Sequence, residues 1–249
     1  LRTRSRDSSA HDRPAIRAEF ELITLIFDLE TYGDAASEAA LEMALKRNED
    51  PRAFTSLCPP LARVVCAGIM NFDPAVSDVT AQRAVTIMDA KLFPYWPDDI
   101  PDVLEAHPGE RAVLTRVNEI LGKADRLVTF NGRGFDLPVL IHRMIANNLA
   151  PHSRLLAAAR ESRYYPKIHF DLAEEFSFHG AAPRQSLRAY AVGYGLEDPK
   201  AKGDGAGIGE LIASGDPQKL ADYCLGDVRS TGALYDRWSS TLGLGSAAS

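Results

Sequence analysis

The first clear pattern in the chain is an apolar run, Phe20-Glu21-Leu22-Ile23-Thr24-Leu25-Ile26-Phe27-Asp28-Leu29-Glu30-Thr31, that ends in two acids one leucine apart. Its length and composition predict a strand. Side chains on a strand alternate faces, so Asp28 and Glu30 share one face and Leu29 points to the opposite, core side. Ala35 to Arg47 reads as a helix rich in Ala, Glu and Leu, closed off by Pro59-Pro60. Strands are predicted for Ala62 to Phe72 and Gln82 to Asp89, and the prolines of Phe93-Pro94-Tyr95-Trp96-Pro97 mark a loop.

Helical spacing of Val113, Leu114, Val117, Ile120 and Leu121 predicts a helix over Glu110 to Lys123. A short strand, Arg126 to Phe130, runs into Asn131-Gly132-Arg133-Gly134-Phe135-Asp136. The following helix begins near Phe135 and turns Leu140, Ile141, Met144 and Ile145 inward. Asp136 then lies in its first turn, where the helix dipole favours an anion. Ile168 to Leu172 is a short extended piece holding His169 and Asp171, and Ser186 to Val192 reads as another helix. The glycine-rich Lys202 to Gly209 misses the dinucleotide fingerprint and reads as a flexible loop, whose Lys200 and Lys202 either approach a phosphate or are simply solvated. Asp216-Pro217 starts the last helix, whose stripe of Leu220, Cys224, Val228, Thr231, Tyr235 and Trp238 is core. Tyr223 and Asp227 lie one turn apart on an adjoining face.

Composition bounds the rest. The chain has 249 residues, 45% of them apolar, enough for one large core. The division expected is an arm over residues 1–19, a single domain over 20–238 and a flexible tail over 239–249. The arm, with Arg2, Arg4, Arg6, Arg13 and Arg17, reads as disordered, a basic phosphate-holding arm being the alternative. No apolar stretch is long enough to cross a bilayer, and no secretory leader is seen, so no membrane partner is expected. Three cysteines, Cys58, Cys66 and Cys224, fit no zinc spacing and read as reduced core thiols of a cytoplasmic protein. A net charge of −6 argues against strong sequence-independent binding of duplex nucleic acid, though a site built of acids contributes to that charge.

Two carboxylates on one patch repel, and at least one tends to hold its proton. A divalent cation removes the conflict, and hard oxygen ligands suit Mg2+ or Mn2+. Four acids stand out by position: Asp28 and Glu30 at a strand end, Asp136 at a helix start and Asp227 on the last helix, with Tyr223 one turn before it. At these residues the chain resembles the DEDD superfamily of 3′–5′ exonucleases. The resemblance is carried by Phe27-Asp28-Leu29-Glu30-Thr31, by Asn131-Gly132-Arg133-Gly134-Phe135-Asp136-Leu137-Pro138-Val139-Leu140 and by Tyr223-Cys224-Leu225-Gly226-Asp227. Tyr223 stands four residues before the last acid, and Asp222 holds the fifth place back, where a second branch has histidine. The tyrosine branch is indicated. Pro59-Pro60 before Arg63-Val64-Val65, His169-Phe170-Asp171-Leu172 and Gly203-Asp204-Gly205 are similar to stand-alone bacterial proteins related to the proofreading domain of family-B DNA polymerases. Tyr32-Gly33 departs from the pattern, which has a proline near there.

The resemblance implies an α/β fold: a ribonuclease H-like mixed β-sheet flanked by α-helices. It implies hydrolysis of phosphodiester bonds at the 3′ end of a single strand, DNA ahead of RNA, releasing nucleoside 5′-monophosphates. Two divalent ions, Mg2+ or Mn2+, about 4 Å apart would clamp the phosphate. Asp28 would bridge both, Glu30 and Asp227 would hold the water-bearing ion, Asp136 would support the other, and Tyr223 would orient the water. Leu29, Thr31, Asn131 and Phe135 are expected against the terminal nucleotide, Phe135 having core packing as an equal alternative. His169 and Asp171 are expected to be structural.

Two rivals differ in class. A haloacid-dehalogenase-type phosphatase also opens on an apolar strand and an Asp, but needs a second Asp where Glu30 stands and leaves Tyr223 and Asp227 unexplained. A non-catalytic nucleic-acid-binding or scaffolding module would have no physical reason to keep four carboxylates that repel without metal; calorimetry showing no Mn2+ binding would favour it.

Overall fold

The computed structural model describes residues 22–33, 38–73, 82–87, 104–199 and 207–242. Strand β1 (Thr24–Gly33) is followed by two short helices, α1 (Glu38–Lys46) and α2 (Pro51–Leu57). Next come β2 (Ala62–Phe72), β3 (Gln82–Ile87), β4 (Leu104–His107), α3 (Glu110–Leu121), β5 (Arg126–Thr129), α4 (Asp136–Ala146) and α5 (Ser153–Arg160). The chain continues through β6 (His169–Asp171), α6 (Leu172–Phe176), a 3-10 turn at Phe178–Gly180, α7 (Leu187–Gly193), α8 (Ile208–Ala213) and α9 (Pro217–Leu242).

The strands form one mixed sheet in the order β4-β3-β2-β1-β5-β6, the helix-flanked α/β architecture of a ribonuclease H-like fold. β1 pairs antiparallel with β2 and parallel with β5, and β6 continues the parallel side. The two ladders on β1 end at different heights. Pairing with β2 runs from Thr24↔Phe72 to Gly33↔Ala62, with a register shift between Glu30 and Thr31, whereas pairing with β5 stops at Ile26↔Val128. β1 therefore outruns β5, and it carries its acids beyond the point where their ladder ends.

Both faces of β1 are buried, as its near-continuous apolar sequence requires of a central strand. Phe27 and Leu29 join Val65, Ala67 and Ile69 in a core with Val113, Val117, Leu140 and Met144 of α3 and α4. Ile26 and Met70 belong to a second cluster with Val128, Val228, Leu234 and Tyr235, which brings in α9. Full burial of such side chains contributes roughly 1.5–3 kcal/mol each. Apolar packing thus anchors the strand firmly enough to hold two acids at its far end. α9 begins as its sequence predicts: Asp216 Oδ1 accepts from the N–H groups of Gln218 (3.0 Å) and Lys219 (3.2 Å), and Pro217 occupies the first helical position.

Several expectations are corrected. α9 runs on through Leu242, so residues 239–242 are helical and not tail. Ile145 is 60% exposed: the stripe of α4 passes through Leu137, Leu140 and Met144, and Ile145 falls outside it. Leu22 and Ile23 are exposed and precede β1. The basic arm, Phe93–Pro97, Lys200, Lys202, Gly203-Asp204-Gly205, the start of the predicted helix at 35–37, the last residues of the strand at 88–89 and residues 243–249 lie outside the described residues. No helix among the described residues is long and apolar enough to cross a membrane.

Candidate active site

Asp28 pairs across the sheet with Gly68, and Glu30 with Cys66. Residues opposed in an antiparallel ladder share a face, so both acids look toward α9. Glu30 is buried and Asp28 half-buried. α9 reaches this face because two glycines clear its path. A Cβ on Gly68 would lie 2.8 Å from Val228 Cγ2 and 3.0 Å from Cys224 Sγ, and one on Gly232 would lie 2.3 Å from Met70 Cε. The close seating carries Tyr223, Cys224 and Asp227 to the acidic end of β1. Cys224, buried, accepts a hydrogen bond from the Gly68 N–H at 3.0 Å and sits 3.7 Å from the Asp28 carbonyl oxygen.

Asp136 arrives from the other side. The loop after β5 turns at Asn131, whose φ of +67° is one that Asn tolerates, and passes Gly132, where a Cβ would lie 2.3 Å from Thr129 Oγ1. It opens α4 with Asp136 in the first turn. Asp136 Oδ1 then accepts the Leu29 N–H at 3.0 Å, between the two acids of β1 and past the end of the β1–β5 ladder.

Electrostatics bind these residues into one site. Burial, followed by the negative charges of Asp136 and Asp227, raises Asp28 well above the usual carboxylate range. Burial, with Asp28 and Asp227 next, does the same to Glu30. Asp136 is pushed to about 7, mainly by burial. Tyr223 is pushed to about 12 by burial and by the charges of Glu30, Asp227 and Asp28. The structure brings together all five residues singled out by position in the sequence, drawn from three separate stretches of chain.

The residues expected against a terminal nucleotide separate. Asn131 is exposed and Phe135 half-buried against the core. Leu29 is only 4% exposed, so its side chain is a core residue; strand alternation alone requires this once Asp28 and Glu30 face the site. Thr31 is buried and its hydroxyl donates to the Ser56 carbonyl at 2.9 Å, which ties the end of β1 to α2. Asp171 is structural: it accepts from the N–H groups of Asn131 (2.8 Å), Arg133 (2.9 Å) and Ala173 (3.0 Å). His169 pairs with Thr129 Oγ1 at 2.8 Å and is held neutral by burial, at about 3. Sequence reasoning missed two neighbours. Arg184 donates to Asn131 Oδ1 at 2.8 Å and to buried Glu174 at 3.0 Å, a long-range contact with no local signal. Cys224 lies with Asp28 and Glu30 so that one ligand atom from each falls within 4.8 Å of the others; its core spacing concealed this.

The family described as predicted 3′–5′ exonucleases related to the exonuclease domain of PolB matches residues 78–244. The chain belongs to that family. The matched span contains Asp136, Tyr223 and Asp227, while Asp28 and Glu30 precede it. The chain is also similar to DNA polymerase 1 of Sulfolobus acidocaldarius, 31% identical over 137 residues, which cover 51% of this chain and 15% of that polymerase. The ribonuclease H-like reading of the mixed sheet agrees with membership.

Proposed function

We propose that this PolB-related exonuclease removes nucleotides one at a time from the 3′ end of single-stranded nucleic acid, DNA ahead of RNA, releasing nucleoside 5′-monophosphates. One observation carries the reading: Asp28, Glu30, Asp136 and Asp227 converge on the end of β1, where burial raises the first three carboxyls above their ordinary range and repulsion among the acids adds to the rise at Asp28 and Glu30. An all-oxygen set of this kind fits hard divalent ions, Mg2+ or Mn2+, whose charge reverses the repulsion. When bound, two such ions activate water and stabilise the leaving 3′ oxygen.

The side chains divide the work. Asp28, Glu30 and Asp227 would hold the ions from the sheet and α9, and Asp136, fixed by the Leu29 N–H, would hold them from the parallel side. Tyr223, protonated at neutral pH, donates a hydrogen bond that orients the attacking oxygen and is no base. Asn131 and Phe135, beside Asp136, receive the frayed terminal nucleotide. A site gathered at one strand end suits a single-stranded terminus, and the net charge of −6 suits it better than a duplex. The three thiols are free, which suits the cytoplasm.

The test is digestion of 5′-labelled single-stranded DNA, single-stranded RNA, duplex and mismatched 3′ ends, each in Mg2+ and in Mn2+. Expected is a ladder shortening from the 3′ end of the single strand that Asp28→Ala abolishes. A wild-type protein that leaves every 3′ end intact, or an Asp28→Ala variant as active as wild type, overturns the reading.

A further inference from the structure

Cys224 has no part in the chemistry above, yet it offers the atom closest in kind to a further ligand. Its sulfur, with one oxygen each from Asp28 and Glu30, forms a triangle no more than 4.8 Å on a side. The Gly68 N–H donates to the sulfur at 3.0 Å, and the sulfur stands 3.7 Å from the Asp28 carbonyl oxygen, so the thiol is fixed at the acidic end of β1. The sulfur is buried on the last helix, held by the same glycine-cleared packing that sets Asp227. With Zn–S near 2.3 Å and Zn–O near 2.0–2.2 Å, a tetrahedral ion needs its ligands about 3.5 Å apart. Seating an ion there therefore requires the two carboxylates to turn toward the sulfur.

We propose that Cys224 is a third protein ligand for thiophilic divalent ions at the Asp28–Glu30 edge, so that Zn2+ and Cd2+ are held by two carboxylates and a thiolate in competition with hard ions. Magnesium has little affinity for sulfur and leaves Cys224 a thiol; a soft ion takes the sulfur, and the thiol proton goes to solvent. The proposal rests on the reading of this edge as an ion site. It makes the enzyme one that zinc-group ions inhibit through a residue outside the carboxylate set.

Co2+ reports sulfur ligation directly, through a near-ultraviolet thiolate-to-cobalt charge-transfer band, and calorimetry with Mn2+ reports the ion site itself. Expected is a band in the wild-type protein that persists in the double variant Cys58→Ser/Cys66→Ser, in which Cys224 is the remaining one of three cysteines. The band should vanish in Cys224→Ser. Cd2+ affinity in Cys224→Ser should fall by at least about 100-fold, beyond the usual effect of an outer partner, with Mn2+ affinity changed by less than about threefold. Co2+ bound without the band, or a band lost in the double variant and kept in Cys224→Ser, overturns the proposal while Mn2+ binding leaves the ion site standing. Absence of any Mn2+ or Co2+ binding overturns both.

Discussion

Asp136 Oδ1 and the Leu29 N–H meet at 3.0 Å across 107 residues of sequence. The bond fixes a carboxylate from α4 between the two acids of β1, at a backbone donor that the β1–β5 ladder no longer serves. It also keeps that carboxylate buried, 3% exposed, with consequences for stability.

The ordinary value of Asp136 is 3.8 and the folded value about 7. The folded state therefore holds this proton where the unfolded chain has released it. The associated stability is fully present below about 3.8 and is lost as pH rises through about 7. Asp28 and Glu30, also raised, act in the same direction. In chelator, the melting temperature should fall as pH rises across this window, and Mn2+ should raise it more at the alkaline end. Asp136→Asn keeps an oxygen for Leu29 and removes the charge, so it should flatten the slope in chelator while abolishing digestion. Thermal melts at several pH values decide this; a variant with the wild-type slope would sink the assignment of the penalty to Asp136.

Tyr223→Phe separates orientation from base catalysis. A hydrogen bond to a charged or developing anion contributes about 1.5–3 kcal/mol, so kcat should fall by about 10- to 100-fold. Mn2+ affinity should hold, because the phenol is no ligand. With Tyr223 pushed to about 12, the acid limb of the wild-type pH–rate profile should survive in the variant. A variant that loses ion binding along with rate would make Tyr223 part of the cage.

Gly68→Ala tests how α9 is seated. The added methyl would meet Val228 Cγ2 at 2.8 Å and the Cys224 backbone oxygen at 3.2 Å, and backbone cannot swing aside. Overpacking of this kind costs about 1–3 kcal/mol. Because α9 also carries Tyr223 and Asp227, nuclease activity should fall even at temperatures where circular dichroism shows the variant folded. Full activity in a destabilised variant would mean that the helix can shift without disturbing the acids.

Much of this was legible in the sequence where a pattern repeats. The apolar run before Asp28 and Glu30 gave a strand whose alternation put both acids on one face, and the stripe from Leu220 to Tyr235 gave α9 and its buried side. Asp136 in a first turn followed from the glycines before it. Most short helices escaped: α2, α5, α6 and α8 span 5 to 8 residues, few turns for a helical period to declare itself, whereas the seven-residue α7 was read within one residue of its bounds. What Cys224 touches also escaped. Its spacing says buried, and burial is observed, but contact with the acids depends on the missing Cβ of Gly68 on the neighbouring strand β2. Leu29 shows the converse error, since adjacency to two acids in sequence is opposition across the sheet in space.

β5 has four residues, and its ladder with β1 covers three of them. Were it two residues longer in register, a carbonyl would claim the Leu29 N–H and the sheet would close over the gap that Asp136 now fills. The abbreviated strand is thus a notch cut in the middle of the sheet, and the unfinished ladder is what leaves room there for chemistry.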